Sequence, residues 1–392
     1  MSQSEQTTQD LLDYIHKSPT PFHCVAETAA RLEKANFSQL DEGESWSLES
    51  GGQYYVIRDG ALLAFRLGTK PAAEAGFRLL GAHTDSPNLR VKPQADINEK
   101  GFTQLGVEVY GGLLSYTWLD RDLGLAGKVV LAGEKKTSDI TSKLVWINRP
   151  ILRIPSLAIH LNREYRTEGI KLNNQTHMAP MLGIADEKDP SASLKSLLGK
   201  ELDVDPERIL SWELSLADTI APCLGGINNE FIFSPRLDNQ AMCHASLLAL
   251  LRVSDTPEAT SVICLYDHEE VGSGSTAGAG GSLTEDLLYR ITEAEGPGAC
   301  SGGFARSVAH SLQISADMAH SVHPNYADKH EPKHLPKLNA GPVIKINTQQ
   351  RYASCAEGAG LFEAWCKESE VPYQKFVTRT DLACGSTIGP IS

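Results

Sequence analysis

The sequence predicts an α/β fold, a sandwich built around a mostly parallel central sheet, with a β-rich segment inserted into it. After residue 236, strand-like and helix-like runs alternate, which is typical of α/β proteins. Between residues 93 and 235, short alternating runs with glycine punctuation indicate strands instead. We therefore predict a discontinuous domain over residues 1–92 and 236–392, and an inserted β-rich domain over residues 93–235.

The first elements are predicted helices. Leu11, Leu12 and Ile15 form an apolar stripe at helical spacing, and the Ser-Pro-Thr-Pro run at residues 18–21 interrupts it. A second helix follows, through Leu32. From residue 53 the pattern changes to two strands, YYVIR and ALLAFRLG, joined at an Asp-Gly turn that predicts a hairpin.

The later elements follow from the same patterns. Within the predicted insertion, the run VEVYGGLLSYTWLDRDLGLAGKVVLAG alternates and carries glycine punctuation, and KLVWINRP, LRIPSLAIH, ELSLAD and EFIFSP are further short strand-like runs. Residues 186–208 are charged and loop-like. In the second part of the discontinuous domain, SVICLYD, HSLQISADM, PVIKIN and PYQKFVT indicate strands. AMCHASLLALLRV, DLLYRITEA and GLFEAWCKES indicate the helices between them.

Charge excludes two classes of partner. The 392 residues contain 36 Lys and Arg and 49 Asp and Glu, a net charge of −13, whereas nucleic acids and anionic membranes require a basic surface. Hydrophobic residues make up 41% of the chain, as in ordinary globular proteins, and the length fits about two or three domains. We find no secretory signal and no apolar run long enough to span a bilayer, so we expect a cytoplasmic protein.

The cysteines are scattered, and none forms a C-x-x-C pair that would indicate a zinc or redox motif. Several lie in apolar runs, so we expect buried thiols in a reducing compartment. The eight are Cys24, Cys223, Cys243, Cys264, Cys300, Cys355, Cys366 and Cys384.

Three predicted apolar strands end in residues that can bind metal ions. The groups are His83 with Asp85; Asp267, His268, Glu269 and Glu270; and Asp317 with His320 and His323. A further carboxylate, Asp238, lies at the start of a predicted helix. In open α/β sheets, ligands bind beyond the carboxyl ends of the strands, so these groups are expected to converge on one crevice.

Each residue also has a purely structural interpretation. Asp238 can cap the helix that follows it. Asp317 can accept hydrogen bonds in a turn, His83 can be an ordinary loop histidine, and Glu269 with Glu270 can be solvated surface charge. All of these interpretations would have to hold together to exclude a site.

The residue types fit a hydrolase with two metal ions, which needs a bridging carboxylate and further ligands for each ion. Histidine and carboxylate ligands suit catalytic zinc. Asp85, two residues after His83, is placed to accept the second imidazole N–H. In extended backbone, neighbouring side chains point to opposite sides, so we expect Glu269 and Glu270 to divide the roles of general base and metal ligand.

The run GSGST at residues 272–276 is neither a phosphate loop nor a serine nucleophile elbow. It lacks the lysine of the phosphate-loop pattern and does not match G-x-S-x-G. Its small residues favour close backbone packing beside the site.

Several segments together resemble the aspartyl aminopeptidases, a family of cytosolic di-zinc exopeptidases. They are GAHTDSPNLRVKP, YGGLLSYTWLDRDLGLAGKV, LAIHL, RLDNQA, DHEEVGSGSTAGAGG, SADMAHSVHPNY and GPVIKIN, and the resemblance extends from SPTPFH to GSTIGPI. It implies a metallopeptidase α/β domain with an inserted β domain used for dimerisation, and assembly of dimers into a homo-dodecamer. It also implies two Zn²⁺ ions per subunit, with other divalent ions as alternatives, and peptide substrates that begin with Asp or Glu.

The resemblance also implies residue roles. Asp238 corresponds to the carboxylate that bridges the two zinc ions, His83 and Asp317 to ligands of one ion, and Glu270 to a ligand of the other. Glu269 corresponds to the catalytic general base, and Asp85 to the residue that orients His83. The residues that correspond to substrate contacts are His160, from the neighbouring subunit, His320 and Lys345.

A local cation also makes chemical sense, because an acidic protein repels acidic substrates at long range. Lys345 would supply it, although without the resemblance Lys345 is an ordinary exposed lysine on a strand, and His160 is a half-buried residue in an apolar segment.

One feature departs from the family pattern. The family carries a further zinc-ligand histidine beyond TIGPI, whereas this sequence has no histidine after His334. We expect the chain as given to be truncated relative to the natural protein; the alternative is weak binding of one metal ion. The functional alternatives are a di-zinc hydrolase of different specificity and a non-catalytic assembly subunit.

Overall fold

The computed structural model describes residues 2–391 except 135, 137, 186–192, 296–301 and 387. Part of the predicted charged loop and Cys300 therefore lie outside the described residues. Among those described, the α-helices are α1 (Gln3–Lys17), α2 (Pro21–Lys34), α3 (Ala72–Ala75), α4 (Tyr165–Glu168), α5 (Leu194–Leu202), α6 (Leu237–Leu251), α7 (Leu283–Ala294), α8 (Gly303–Ala309) and α9 (Ala356–Glu368).

The strands are β1 (Ser38–Gln39), β2 (Gln53–Arg58), β3 (Ala61–Arg66), β4 (Phe77–His83), β5 (Asn88–Glu99), β6 (Phe102–Tyr110), β7 (Leu123–Leu131) and β8 (Thr141–Leu152). They continue with β9 (Met181–Ile184), β10 (Ile209–Asp218), β11 (Cys223–Gly225), β12 (Phe231–Phe233), β13 (Thr260–Tyr266), β14 (Leu312–Ser315), β15 (Val343–Ile346) and β16 (Gln374–Val377).

The described chain forms two compact units. The first comprises residues 1–30 and 85–236, and the second comprises residues 31–84 and 237–392. The domains predicted from the sequence, residues 1–92 with 236–392 and residues 93–235, stay a prediction. In the structure, the first 30 residues cluster with the β-rich segment.

Helix α1 begins and ends where its sequence dictates. The hydroxyl of Ser2 accepts the backbone N–H of Glu5, and the Glu5 carboxylate accepts the backbone N–H of Ser2, so two N–H groups at the helix start are satisfied. Leu12 and Ile15 are buried on one face, as predicted. The helix ends at Lys17, and α2 begins at Pro21, because proline is tolerated only in the first turn.

The second unit is built on a six-stranded sheet with the order β1-β2-β3-β13-β4-β14. Strands β2 and β3 form the predicted antiparallel hairpin, and Asp59 in the turn has a φ of 53°. All residues of β3 are buried, which is typical of a strand covered on both faces. The predicted α/β class is confirmed, and the sheet is mixed because this hairpin is antiparallel.

Strand β4 lies between β13 and β14 and is parallel to both. Tyr266 at the end of β13 is opposite His83, and Ser315 at the end of β14 is opposite Gly81. The three strands that the sequence marks by their polar carboxyl ends are therefore neighbours, and those ends lie at one edge. Strands β15 and β16 form a separate parallel pair instead of extending this sheet.

The first unit contains a second six-stranded sheet with the order β8-β7-β10-β5-β6-β9, in which neighbouring strands are antiparallel. Its apolar face forms a core that includes Leu89, Leu105, Leu125 and Ile209, all with no exposed surface. The predicted β-rich segment is thus confirmed as a sheet. The prediction of strand for SLAIH is wrong, because a 3₁₀ helix lies at Ile159–Leu161.

None of the seven described cysteines is in a disulfide. Four are buried, as predicted: Cys24, Cys243, Cys264 and Cys366. Cys223 and Cys355 are exposed, so the expectation of buried thiols is wrong for these two. In the described part of the chain, no helix combines the length and the apolar character needed to cross a membrane.

Candidate metal centre

A buried histidine lies at the centre of the candidate site. His83 ends β4 with 1% of its surface exposed, and the thiol of Cys243 donates a hydrogen bond to its carbonyl oxygen at 3.0 Å. Its Nε2 atom lies 3.3 Å from a carboxylate oxygen of Asp238, 3.7 Å from Asp317 and 3.9 Å from Glu269. Three acidic side chains from three parts of the chain therefore meet at one imidazole.

Asp238 enters the site from the start of α6. The backbone at Asp238 and Asn239 is not helical, and the peptide bond between them is cis. The side-chain amide of Asn239 donates to the carbonyl oxygen of Ala316 at 2.9 Å, which ties the start of α6 to the residue after β14. The Asp238 side chain remains 56% exposed, so its carboxylate faces an open space.

Glu269 and Glu270 lie in a 3₁₀ helix, Glu269–Val271, directly after β13. The expectation of extended backbone at these two residues is wrong, because His268 adopts a left-handed conformation with φ of 65° and turns the chain. The two carboxylates nevertheless take different positions. Glu269 lies near His83, and Glu270 belongs to the group of potential ligands described below.

Asp317 follows β14 and is paired with a lysine. The Lys345 ammonium donates to Asp317 Oδ2 at 3.2 Å and to the carbonyl oxygen of Met318 at 2.7 Å. Burial alone would raise the pKa of Asp317, but His83 and Lys345 outweigh burial and lower that pKa. Asp317 is therefore held as a carboxylate.

The site suits a divalent cation. One ligand atom each from His83, Asp238 and Glu270 lie within 4.8 Å of one another. An imidazole with carboxylates is a zinc-type donor set. Glu269 and Asp317 add negative charge beside His83, and the Lys345 ammonium forms an ion pair with Asp317. Such a cluster of carboxylates is stabilised by a bound cation, because like charges at short range repel.

The remaining predicted residues lie in different surroundings. Asp85 is fully buried in the first unit, where the hydroxyl of Tyr110 donates to its Oδ2 at 2.7 Å. His160 is exposed in the 3₁₀ helix Ile159–Leu161 of the same unit. His320 packs its ring against Phe376, at a centroid distance of 5.0 Å, in the second unit. Burial, with the nearby His330 and Lys345, lowers the pKa of His320.

Sequence reasoning missed two aromatic residues near these groups. Tyr110, at the end of β6, donates a hydrogen bond to the Asp85 carboxylate. The guanidinium of Arg90 lies over the Tyr110 ring, 3.9 Å from its centroid. Tyr352 lies with its ring centroid 5.6 Å from the Lys345 ammonium. Tyr110 is within a segment quoted for the family resemblance, but no ligand-like spacing marks either tyrosine.

The fold and the site define an α/β protein with a candidate metal centre at the carboxyl ends of parallel strands. The sequence profile of the aminopeptidase I zinc metalloproteases, the M18 family, matches residues 14–392. The chain belongs to this family of zinc aminopeptidases.

Individual relatives agree with this assignment. A relative from Stutzerimonas stutzeri, described as a probable M18 family aminopeptidase 2, is 50% identical over 99% of this chain and 89% of its own length. A chain in a structure titled as the Ape4 and Nbr1 complex is 38% identical with a TM-score of 0.94, covering 99% of this chain and 78% of that one. The mApe1 dodecamer of S. cerevisiae is 30% identical with a TM-score of 0.83, covering 96% and 86%.

Proposed function

We propose that this protein is a di-zinc aminopeptidase that removes N-terminal Asp or Glu from peptides, with Glu269 as the general base. The observation that supports this proposal is the convergence of Asp238, Glu269 and Asp317 on the buried imidazole of His83. The M18 family is a family of zinc metalloproteases, which supports zinc as the ion that these residues would bind.

We propose the following ligand roles, which the contacts support. Asp238 has an exposed carboxylate that faces both His83 and Glu270, so we assign it as the bridge between two zinc ions. His83 and Asp317 would hold one ion, and Glu270 the other. Asp85 is proposed to orient His83. When bound, the ions would polarise the scissile carbonyl and lower the pKa of water.

Glu269 is suited to move the proton. Its Oε2 is 3.9 Å from His83 Nε2, and its side chain is 15% exposed, so it can reach a water molecule beside the ligands. As base it would take a proton from the attacking water, and as acid it would pass that proton to the leaving amine. The nitrogen leaves as a neutral amine, and Glu269 returns to its carboxylate form.

Lys345 is proposed to bind the acidic side chain of the substrate. An ammonium group has three N–H donors, and two of them have acceptors in Asp317 and Met318. Within the part of the chain that the structure describes, this leaves the third donor for a substrate carboxylate. His320, whose environment includes Lys345, and His160 are proposed as further substrate contacts.

Replacement of the general base tests the catalytic proposal. Glu269→Ala is expected to keep its zinc and lose at least about 100-fold in kcat. Glu285→Ala, at an exposed glutamate in the first turn of α7, is the matched control and should keep full activity. Near-normal turnover of Glu269→Ala would reject the mechanism.

The metal and substrate proposals need separate measurements. Two zinc ions per chain by elemental analysis would support a di-zinc site, and Asp238→Asn should lower that number. A panel of N-terminal Asp, Glu, Leu and Lys amides decides between an acidic preference and a hydrolase of different specificity. Zinc binding with no turnover on any amide would favour a non-catalytic assembly subunit.

We further propose a cytoplasmic homo-oligomer, assembled from dimers into a dodecamer. The similar S. cerevisiae mApe1 structure is described as a dodecamer. The first unit here exposes large apolar side chains, including Leu161, Ile227 and Phe233, which suits self-association. Light scattering should give a mass near twelve times 42.5 kDa, whereas a monomer mass at micromolar concentration would contradict this proposal.

A further inference from the structure

The glycine-rich segment, residues 272–281, is folded back against the turn that carries Glu269 and Glu270. The backbone N–H of Ser273 donates to the carbonyl of His268 at 2.8 Å, and that of Gly272 donates to the carbonyl of Glu269 at 2.9 Å. These two hydrogen bonds hold the start of the glycine-rich segment against the turn at residues 268–271. The conformation depends on left-handed backbone at His268, Gly272 and Ser273, with φ of 65°, 98° and 60°.

A side-chain contact joins the same two parts of the chain. The imidazole Nδ1 of His268 lies 2.8 Å from the hydroxyl of Ser275. His268 immediately precedes Glu269, so this hydrogen bond fixes the segment relative to the residue before the proposed base. The N–H of Asp267 also donates to the carbonyl of Ala277 at 3.0 Å, which adds a backbone connection.

The segment is itself anchored in the hydrophobic core. Ala277 and Ala279 are 1% and 4% exposed and belong to the core cluster of the second unit. Gly278 lies so close to Ser273 that a Cβ atom there would be 2.3 Å from the Ser273 carbonyl oxygen. Since real Cβ atoms do not approach that closely, only glycine fits without movement. At Gly274, by contrast, an added Cβ meets nothing within 4 Å.

We propose that His268 and Ser275 are positioning residues. By fixing the glycine-rich segment to the turn, they hold the Glu269 carboxylate in the orientation that catalysis requires. This inference rests on the proposed function, because it takes Glu269 as the general base. A turn with three left-handed residues next to a reacting group has other conformations within reach. The hydrogen bond between His268 and Ser275 selects one of them.

The first test removes only the hydroxyl. Ser275→Ala is expected to lower kcat about 10-fold with KM, zinc content and the thermal midpoint unchanged, because misdirection of a catalytic group affects the chemical step. Ser275→Thr keeps the hydroxyl and should stay within about two-fold of the parent enzyme. Parent-like kcat for Ser275→Ala, or equal losses in both variants, would overturn the proposal.

A double-mutant cycle shows whether the effect acts through the base. In a Glu269→Asp background with residual turnover, Ser275→Ala should change kcat less than two-fold, because the group it positions is already displaced. If the two substitutions lower kcat by independent factors that multiply in the double variant, the proposal is overturned. If Glu269→Ala is inactive while Ser275→Ala is parent-like, the proposed function stands and only this inference fails.

The matched glycine pair supplies a second, independent test. Gly278→Ala should lower kcat about 100-fold, since even a 1 Å displacement near the chemistry has effects of that size. Gly274→Ala should remain within two-fold. Equal activities of the two variants would contradict the role of close packing. If Gly278→Ala fails to fold, the Ser275 variants still decide the question.

Discussion

Replacing Lys345 with methionine is expected to remove the preference for acidic N-terminal residues. Methionine keeps the length of the side chain but has no charge and no N–H. Among the described residues, the ammonium has acceptors in Asp317 at 3.2 Å and Met318 at 2.7 Å, and we propose that the last of its three donors binds the substrate. The Lys345 side chain is 15% exposed, so this donor is partly shielded from water.

The size of the effect follows from this single bond. A hydrogen bond to a charged group contributes about 1.5–3 kcal/mol. Since about 1.4 kcal/mol corresponds to a factor of ten, the ratio of kcat/KM for Glu over Leu amides should fall about 10- to 150-fold in Lys345→Met. The loss should appear with the acidic substrates, while turnover of the Leu amide changes much less.

The assay compares N-terminal Glu, Asp and Leu amides for the parent enzyme, Lys345→Met and the control Lys337→Met, which alters an exposed lysine. Zinc content is measured in each, because Lys345 also helps to keep Asp317 ionised. An unchanged Glu-to-Leu ratio with full zinc content would refute the assignment of Lys345 to specificity. If zinc content falls and kcat/KM falls equally for all amides, the role of Lys345 is limited to keeping Asp317 ionised.

Three further predictions concern stability. Leu63→Ala, at a fully buried position of β3, should cost about 2–5 kcal/mol in urea unfolding, whereas Leu161→Ala, at a position 76% exposed, should change the free energy by less than about 0.5 kcal/mol. Burial, with Arg236, lowers the pKa of His23 from 6.5 to about 4. The unfolded chain therefore binds this proton more strongly, and up to about 3 kcal/mol of stability should be lost as the pH falls from about 6.5 towards 4. His23→Gln should reduce that loss, and an identical pH profile would contradict the reasoning. Gly76→Ala should lower the thermal midpoint, since φ of 69° with ψ of −168° is a glycine conformation that costs other residues about 1–3 kcal/mol.

Much of the second unit could be predicted because its signals are local. The Asp59-Gly60 turn predicts the β2–β3 hairpin, and the ends of β4, β13 and β14 are marked by apolar runs that change to polar residues. The grouping of the site residues could be anticipated from a general rule of parallel sheets. The individual roles of those residues stay predictions until the variants are made.

Other features could not be predicted, because they depend on contacts between distant parts of the chain. No sequence pattern places Tyr352 beside Lys345, or Tyr110 on Asp85. The sequence predicted extended backbone at Glu269, but the left-handed residue before it and the packing of the glycine-rich segment impose a 3₁₀ turn.

The sequence by itself determined the α/β class, the presence of a β-rich segment and the set of residue types that can bind metal, because hydrophobic period and residue chemistry are properties of short segments. The tertiary structure alone decided which of these residues meet. Parallel pairing of β4 with β13 and β14 brings together side chains that are more than 200 residues apart in the chain, such as His83 and Asp317. It also decided that Lys345 contacts Asp317, because that distance depends on packing rather than on sequence spacing.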